Sequence, residues 1–451
     1  MLGFDPEAAV VAYLATMSPE AQARAIAYTR EGEWLLLFGW LATLIIAFVI
    51  VRTNVLVRIR ERVEQGRDRP TLATYLVALA FTGMAFVLTL PWAAFAQWNR
   101  HRNYGLSNQT LLEWLAEQAI IGALAMIVLP IFLVLLYRLI WTFRRTWWLW
   151  AAPLVAAFMI IGMVISPLYV EPLFNTYKPA PPGPMRDAIV ALAEKTGTPH
   201  DKIYIYDGSR QSNAYTANVS GLFGSARVAL SDTMFKKGAD LAEVMAVVGH
   251  EMGHYRRDHI LWATAIYSIG AALGFLLAAW LFPLFRGLLF AGRVGGIEDP
   301  AGLPVLWAVA ATLGLLATPI NNSISRVMEA DADRYSLTWA REPDGMAEAL
   351  IKTAEYRAPS PARWEEIVFY SHPSVESRIR TAMRWKAANM PPAVAAPPPA
   401  APAPAPAEPA PEPPVLIERE LETPGYLPPE PPAKTTDPSQ AAETTEPPAK
   451  E

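Results

Sequence analysis

Six stretches of this chain are longer and more apolar than the core of a water-soluble domain requires. They run at about 33–51, 72–98, 113–141, 147–170, 260–285 and 304–321, close to or beyond the roughly 20 residues that carry a helix across a bilayer. One such run could be a buried helix of a soluble protein. Six in one chain exceed what a single soluble core can hide, so the expectation is a mainly α, polytopic transmembrane bundle. Several of the 15 Trp fall near run ends, where the aromatic belts of a bilayer lie. The lipid bilayer is therefore the first partner the sequence implies.

The rest of the chain divides around these runs. Residues 1–32 form a mixed amphipathic segment, with no basic start and no signal-peptide pattern in Met1 to Glu7. A membrane region of four spans covers 33–171. Residues 172–258 have ordinary polarity and two β-like stretches, Lys202 to Tyr206 and Ala226 to Leu230, flanked by helical patterns at 184–196 and 239–258. This reads as a small α+β domain inserted between spans. Two further spans fill 259–321, and a mixed helical stretch follows over 322–388. From 389 to 451 the composition falls to Pro, Ala and Glu, with 20 of the 41 prolines, which predicts a disordered tail of polyproline character. That tail is a solvated appendage or a ligand for a partner domain.

Charge and cysteine content exclude several functions. The net charge is −4, but the last 61 residues hold ten acids and three bases, leaving the remainder about +3. No nucleic-acid partner is implied. The absence of Cys rules out disulfides, thiolate metal ligands and thiol nucleophiles.

Chemistry concentrates at His250-Glu251-Met252-Gly253-His254. On a helix, positions i and i+4 share a face, so both imidazoles can reach one ion. Glu251 is placed to orient and deprotonate an attacking water. The chain has only six His, at 101, 200, 250, 254, 259 and 372, so the pairing is unusual for its composition. The alternative is two solvated histidines on a helix face.

Hydrolytic zinc sites take three protein ligands, so a third is needed. His259, five residues past His254, points off the ligand face of a continuous helix. Asp258 shares the face of His254 one turn on, where a hydrogen-bonding or solvated role suits it. Glu329 is the better candidate: Ser325, Glu329 and Asp333 recur every four residues as one polar stripe. Asp333 could then hydrogen-bond a ligand histidine and fix its tautomer. The competing reading is a charged helix face with Glu329 paired to Arg326.

These residues, HEMGH at 250–254 and SRVMEADAD at 325–333, resemble the type 1 CAAX prenyl endopeptidases, membrane-embedded gluzincin metalloproteases. Matching stretches recur in order over roughly 33–388: Leu90-Pro91-Trp92, Asn108 to Leu111, Pro172 to Asn175 with Lys178-Pro179, Ser212 to Tyr215, Tyr370 to Pro373, and Arg378-Ile379. The resemblance implies helices enclosing a chamber, one Zn²⁺ per chain on His250, His254 and Glu329, and Glu251 as general base. It marks Asp333 as a second acid/base group, for which an orienting role is physically preferable. It puts His372 at the scissile carbonyl, and makes Asn213, Ala214, Asn322 and Arg378 substrate contacts, with the strand at Asn213 and Ala214 pairing edge-on with an extended peptide. The implied partner is a peptide or protein substrate, prenylated or membrane-embedded.

Two features depart from the family. Its eukaryotic members have seven spans against six here. The resemblance turns the catalytic domain toward the cytoplasm, whereas six Arg in loop 52–71, with two each in 142–146 and 286–302, would make those loops cytoplasmic instead. The Arg-, Ala- and Trp-rich style points to a bacterial inner membrane. There a quality-control protease without CAAX preference is the alternative within the class. A non-hydrolytic transporter or scaffold is the alternative outside it.

Overall fold

The computed structural model describes residues 4–222 and 225–390; from residue 391 the expected tail lies outside the described residues. Asp5 caps α1 (Pro6–Leu14) by accepting from the amides of Glu7 and Ala8, and Ser18 caps α2 (Pro19–Thr53). At 35 residues α2 is roughly 50 Å long, well beyond the hydrocarbon thickness. It begins 14 residues before its apolar run, because intrahelical hydrogen bonds continue regardless of side-chain polarity. Asn54, in the left-handed conformation, ends α2 and starts the amphipathic α3 (Val55–Glu64), which buries Leu56 and Val57.

Next come α4 (Pro70–Ala93), a π-helical segment Ala94–Asn99 and α5 (Arg100–Asn103), with Pro91 just before the winding loosens. Pro91 lacks the amide that would bond one turn back. A capping box of Thr110 and Glu113 starts α6 (Leu111–Thr142), and α7 (Trp147–Ile165) completes the first four spans. The polar insertion carries β1 (Tyr177–Pro179), α8 (Pro184–Thr196), β2 (Ile203–Tyr206), β3 (Ala217–Ser220), β4 (Arg227–Ser231), α9 (Asp232–Lys236) and α10 (Leu241–Arg256). Its sheet has the order β1-β2-β4-β3, with β2 parallel to β4 and both outer pairs antiparallel, so β3 is an edge. Two further long helices, α11 (His259–Leu288) and α12 (Leu303–Trp339), precede α13 (Pro343–Thr353), α14 (Arg363–Phe369) and α15 (Val375–Asn389).

Six helices are long and apolar enough to cross a membrane. Ile45, Val87, Ile127, Ile161, Ile269 and Leu316, one from each, are all more than half exposed. Such a surface is costly in water and ordinary in lipid. Inside the bundle, Val77, Phe81, Leu136, Tyr137, Phe282 and Val309 belong to one buried cluster. At one end, Arg60 pairs with Asp299, Arg293 bonds both oxygens of Glu61 at 3.0 Å, and Trp141 Nε1 donates to the Glu298 carbonyl at 3.2 Å. The Arg-bearing connections after α2 and α11, with the end of α6, thus gather together.

Two smaller cores lie outside the bundle. One packs the sheet against α8, α10 and the end of α12, through Ile189, Val228, Leu230, Val248 and Met252. The other joins α1 to α13 and α15 through Val10, Tyr13, Met346, Ile379 and Met383. In it Tyr13 donates to Asp344 at 2.7 Å, and the buried Lys386 reaches both oxygens of Asp344.

Candidate metal centre

Asp240 caps α10 by accepting from the Glu243 amide at 2.8 Å, and the helix runs unbroken through both histidines of the motif. The i, i+4 spacing sets the His250 and His254 rings 4.8 Å apart, with Nε2 facing Nε2 at 3.1 Å. Across them lies α12, which continues without interruption from its apolar span into the polar stripe; the expected break at 321–322 is absent. Glycine permits this approach. A Cβ on Gly253 would meet Tyr335 Cβ at 3.0 Å and the Ala332 backbone at 3.1 Å.

Glu329 therefore reaches both histidines, with Oε2 at 3.3 Å from His250 Nε2 and Oε1 at 3.5 Å from His254 Nε2. One donor atom from each of the three lies within 4.8 Å of the others. Arg326 does not pair with Glu329. It donates instead to the carbonyls of Glu366 at 2.7 Å and Tyr370 at 2.5 Å.

The hydrogen bonds around the rings argue for a cation at this point. Asp333 Oδ1 accepts from His250 Nδ1 at 2.8 Å, which turns His250 Nε2 toward Glu329 and His254. Glu329 Oε2 is buried and without a hydrogen-bond partner. Two imidazole nitrogens and a carboxylate oxygen thus converge, a donor set that suits a borderline-soft divalent ion. Burial alone would lower the His250 pKa, but Asp333 and Glu329 more than offset it and raise it to about 9. A proton is held where a metal would compete for it.

Asp333 in turn is gripped by Arg378, whose Nε and Nη2 donate at 2.7 and 2.6 Å. His259 approaches His254 Nδ1 to Nδ1 at 3.0 Å, with its Nε2 3.4 Å from Asp331. Spacing on a continuous helix would point His259 away, but α10 stops at Arg256 and Asp258 turns left-handed at φ 55°. The turn re-aims His259 at the ligand pair. It also removes Asp258 from the helix face expected for it.

Around this point lies a cavity of about 380 Å³, lined by Ala214 to Ala217, Glu251, Arg357, His372 and Arg378 among others. Burial pushes the Glu251 carboxyl up to about 7. His372 Nε2 lies 3.4 Å from Glu329 Oε1, and its Nδ1 lies 3.0 Å from Ser371 Oγ. Burial, reinforced by Arg357, lowers its pKa to about 3, so it stays neutral, with Nε2 turned to the Glu329 carboxylate.

The expected substrate contacts are arranged differently. Asn213 and Ala214 precede β3 rather than belonging to it. The Asn213 side chain donates to the Gly105 carbonyl and accepts from Asn108, both at 2.8 Å, which commits it to the loop after α5. Of these two, Ala214 lines the cavity; Arg378 lines it as well but is engaged with Asp333. Asn322 donates to the Val368 carbonyl at 2.7 Å and lines a neighbouring cavity. Arg357 was not anticipated from the sequence, since a lone Arg in a mixed helical stretch carries no pattern.

Residues 180–386 match peptidase family M48, and residues 8–176 match the family described as CAAX prenyl protease N-terminal, five membrane helices. Four of the six candidate spans fall in that second segment. An uncharacterized metalloprotease, YhfN of Bacillus subtilis, is 28% identical over 81% of this chain and 86% of its own length. CAAX prenyl protease 1 of Saccharomyces cerevisiae is 24% identical over 68% of this chain and 72% of its own. The crystal structure of S. mikatae Ste24p superposes with a TM-score of 0.68, covering 82% of this chain and 90% of that one at 22% identity, a likeness of fold.

Proposed function

Because the chain belongs to peptidase family M48, as a multi-pass membrane metalloprotease, we propose that it is a zinc endopeptidase with His250, His254 and Glu329 as ligands. Zinc held there supplies a positive charge that acidifies a water and polarises a peptide carbonyl. Glu251 takes the proton of the attacking water and passes it to the leaving amine. Its raised proton affinity suits both halves of that task. The neutral His372 donates through Nε2 to the oxygen that turns negative as the carbonyl is attacked. Asp333, held by Arg378, orients His250 and takes no part in proton transfer. The observation that carries this reading is the convergence of three metal-binding atoms beside the half-buried Glu251 carboxyl in one cavity.

The proposed substrate is a prenylated protein from which the C-terminal tripeptide is removed, a reading supported by the names of relatives. A membrane quality-control role uses the same chemistry on other peptides. The test is zinc content together with cleavage of a farnesylated CAAX peptide and an unmodified control, in wild type and Glu251→Gln. The expected result is about one zinc per chain in both, with cleavage lowered by about 10²-fold or more in the variant. Unchanged cleavage in the variant would overturn the mechanism.

The proposed setting is a bacterial inner membrane with the metal centre toward the cytoplasm. The clustered Arg-bearing connections at the far end argue the other way. Since the chain has no Cys, single reporters settle the matter. On the proposed orientation, Asp68→Cys reacts with an impermeant maleimide in intact spheroplasts and Asp201→Cys does not. The reverse pattern puts the metal centre outside.

A further inference from the structure

Two cavities meet at one arginine. The metal-centre cavity and a second of about 370 Å³ share Tyr356, Arg357 and His372, and Glu33 and Leu36 of α2 with Thr318 of α12 line the second. The other arginines lining them are committed. Arg378 grips Asp333 with two nitrogens, while Arg100 lies against Glu31 and donates to the Tyr28 carbonyl. Among the described residues, nothing accepts a hydrogen bond from the Arg357 guanidinium, and no carboxylate lies within ion-pair distance of it.

A half-buried guanidinium beside a second arginine is unfavourable without an anion, and its planar fork fits a carboxylate with two parallel hydrogen bonds. Of the carboxylates that line the two cavities, Glu329 faces the histidines, Asp333 is taken, and neither Glu33 nor Glu251 forms an ion pair with Arg357. We infer that Arg357 is a specificity-determining residue that binds a carboxylate of the substrate while the scissile bond lies at Glu251. This rests on the peptidase reading above. The carboxylate is either the free C-terminus of the peptide or an acidic side chain near the cut.

The experiment uses the full chain, zinc-loaded in detergent, with three fluorogenic peptides of one length. One ends in a free carboxylate, one in a carboxamide, and one in a carboxamide with a single internal Glu. Wild type should show a KM about tenfold or more lower for one carboxylate peptide than for the neutral one, and the winner identifies the source. Arg357→Gln should erase that ratio and Arg357→Lys should keep part of it. Arg357→Glu should reverse it toward a peptide ending in an aminoethyl amide. Equal zinc content across variants checks that each has folded. No preference in wild type, or a preference that survives Arg357→Gln, overturns the inference. If zinc-loaded wild type cleaves none of the peptides, the peptidase reading fails instead, and the ratio of peptide affinities by anisotropy then decides on Arg357 by the same criteria.

Discussion

Asp333 has two partners at once: it accepts from His250 Nδ1 and holds both donors of Arg378. Asp333→Asn keeps the shape but removes the charge, leaving Arg378 buried without a counter-ion and His250 free to change tautomer. Zinc affinity, measured by competition with a chelator, should fall about 10- to 100-fold. The stripe that placed Asp333 near the site was legible in the sequence, because residues four apart must share a helix face. The second link was not. Arg378 is 45 positions away on another helix, and no local period connects it to Asp333. His259 shows the opposite failure, in which a local rule was applied across a helix break that local sequence does not announce.

Among the helices, α12 does most to assemble the centre, since one rod crosses the membrane and delivers Glu329. Its packing against α10 depends on the small faces of Gly249 and Gly253. Gly253→Ala would force a Cβ against Tyr335 and the Ala332 backbone, part the helices by a few tenths of an ångström and cost about 1–3 kcal/mol. Zinc per chain should drop while membrane insertion is unchanged. Gly270→Ala, where nothing lies within 4 Å, is the neutral control. The apolar runs located all six spans, yet they misplaced the ends of α2 and α12. Hydropathy reports where lipid stops, whereas a helix ends where its backbone bonding ends.

At the scale of the whole molecule, the first and last described helices meet: α1 is buried against α13 and α15, with Tyr13 and Lys386 both bonded to Asp344. Asp344→Ala removes the carboxylate to which both Tyr13 and the buried Lys386 ammonium donate, and should cost about 1–3 kcal/mol. The expected sign is a lower melting temperature in detergent, with Asp344→Asn intermediate. The amphipathic character of residues 1–32 was evident beforehand, but not what would cover it. By itself the sequence determined the membrane class, the number of spans and the pairing of His250 with His254, because length, hydropathy and helical period are local properties. Only the tertiary structure decided that Glu329 faces those histidines, that Arg326 turns away and that Arg357 stands uncompensated between two cavities. Each depends on which distant helices pack together, and that is fixed by the shapes of buried surfaces rather than by any spacing along the chain.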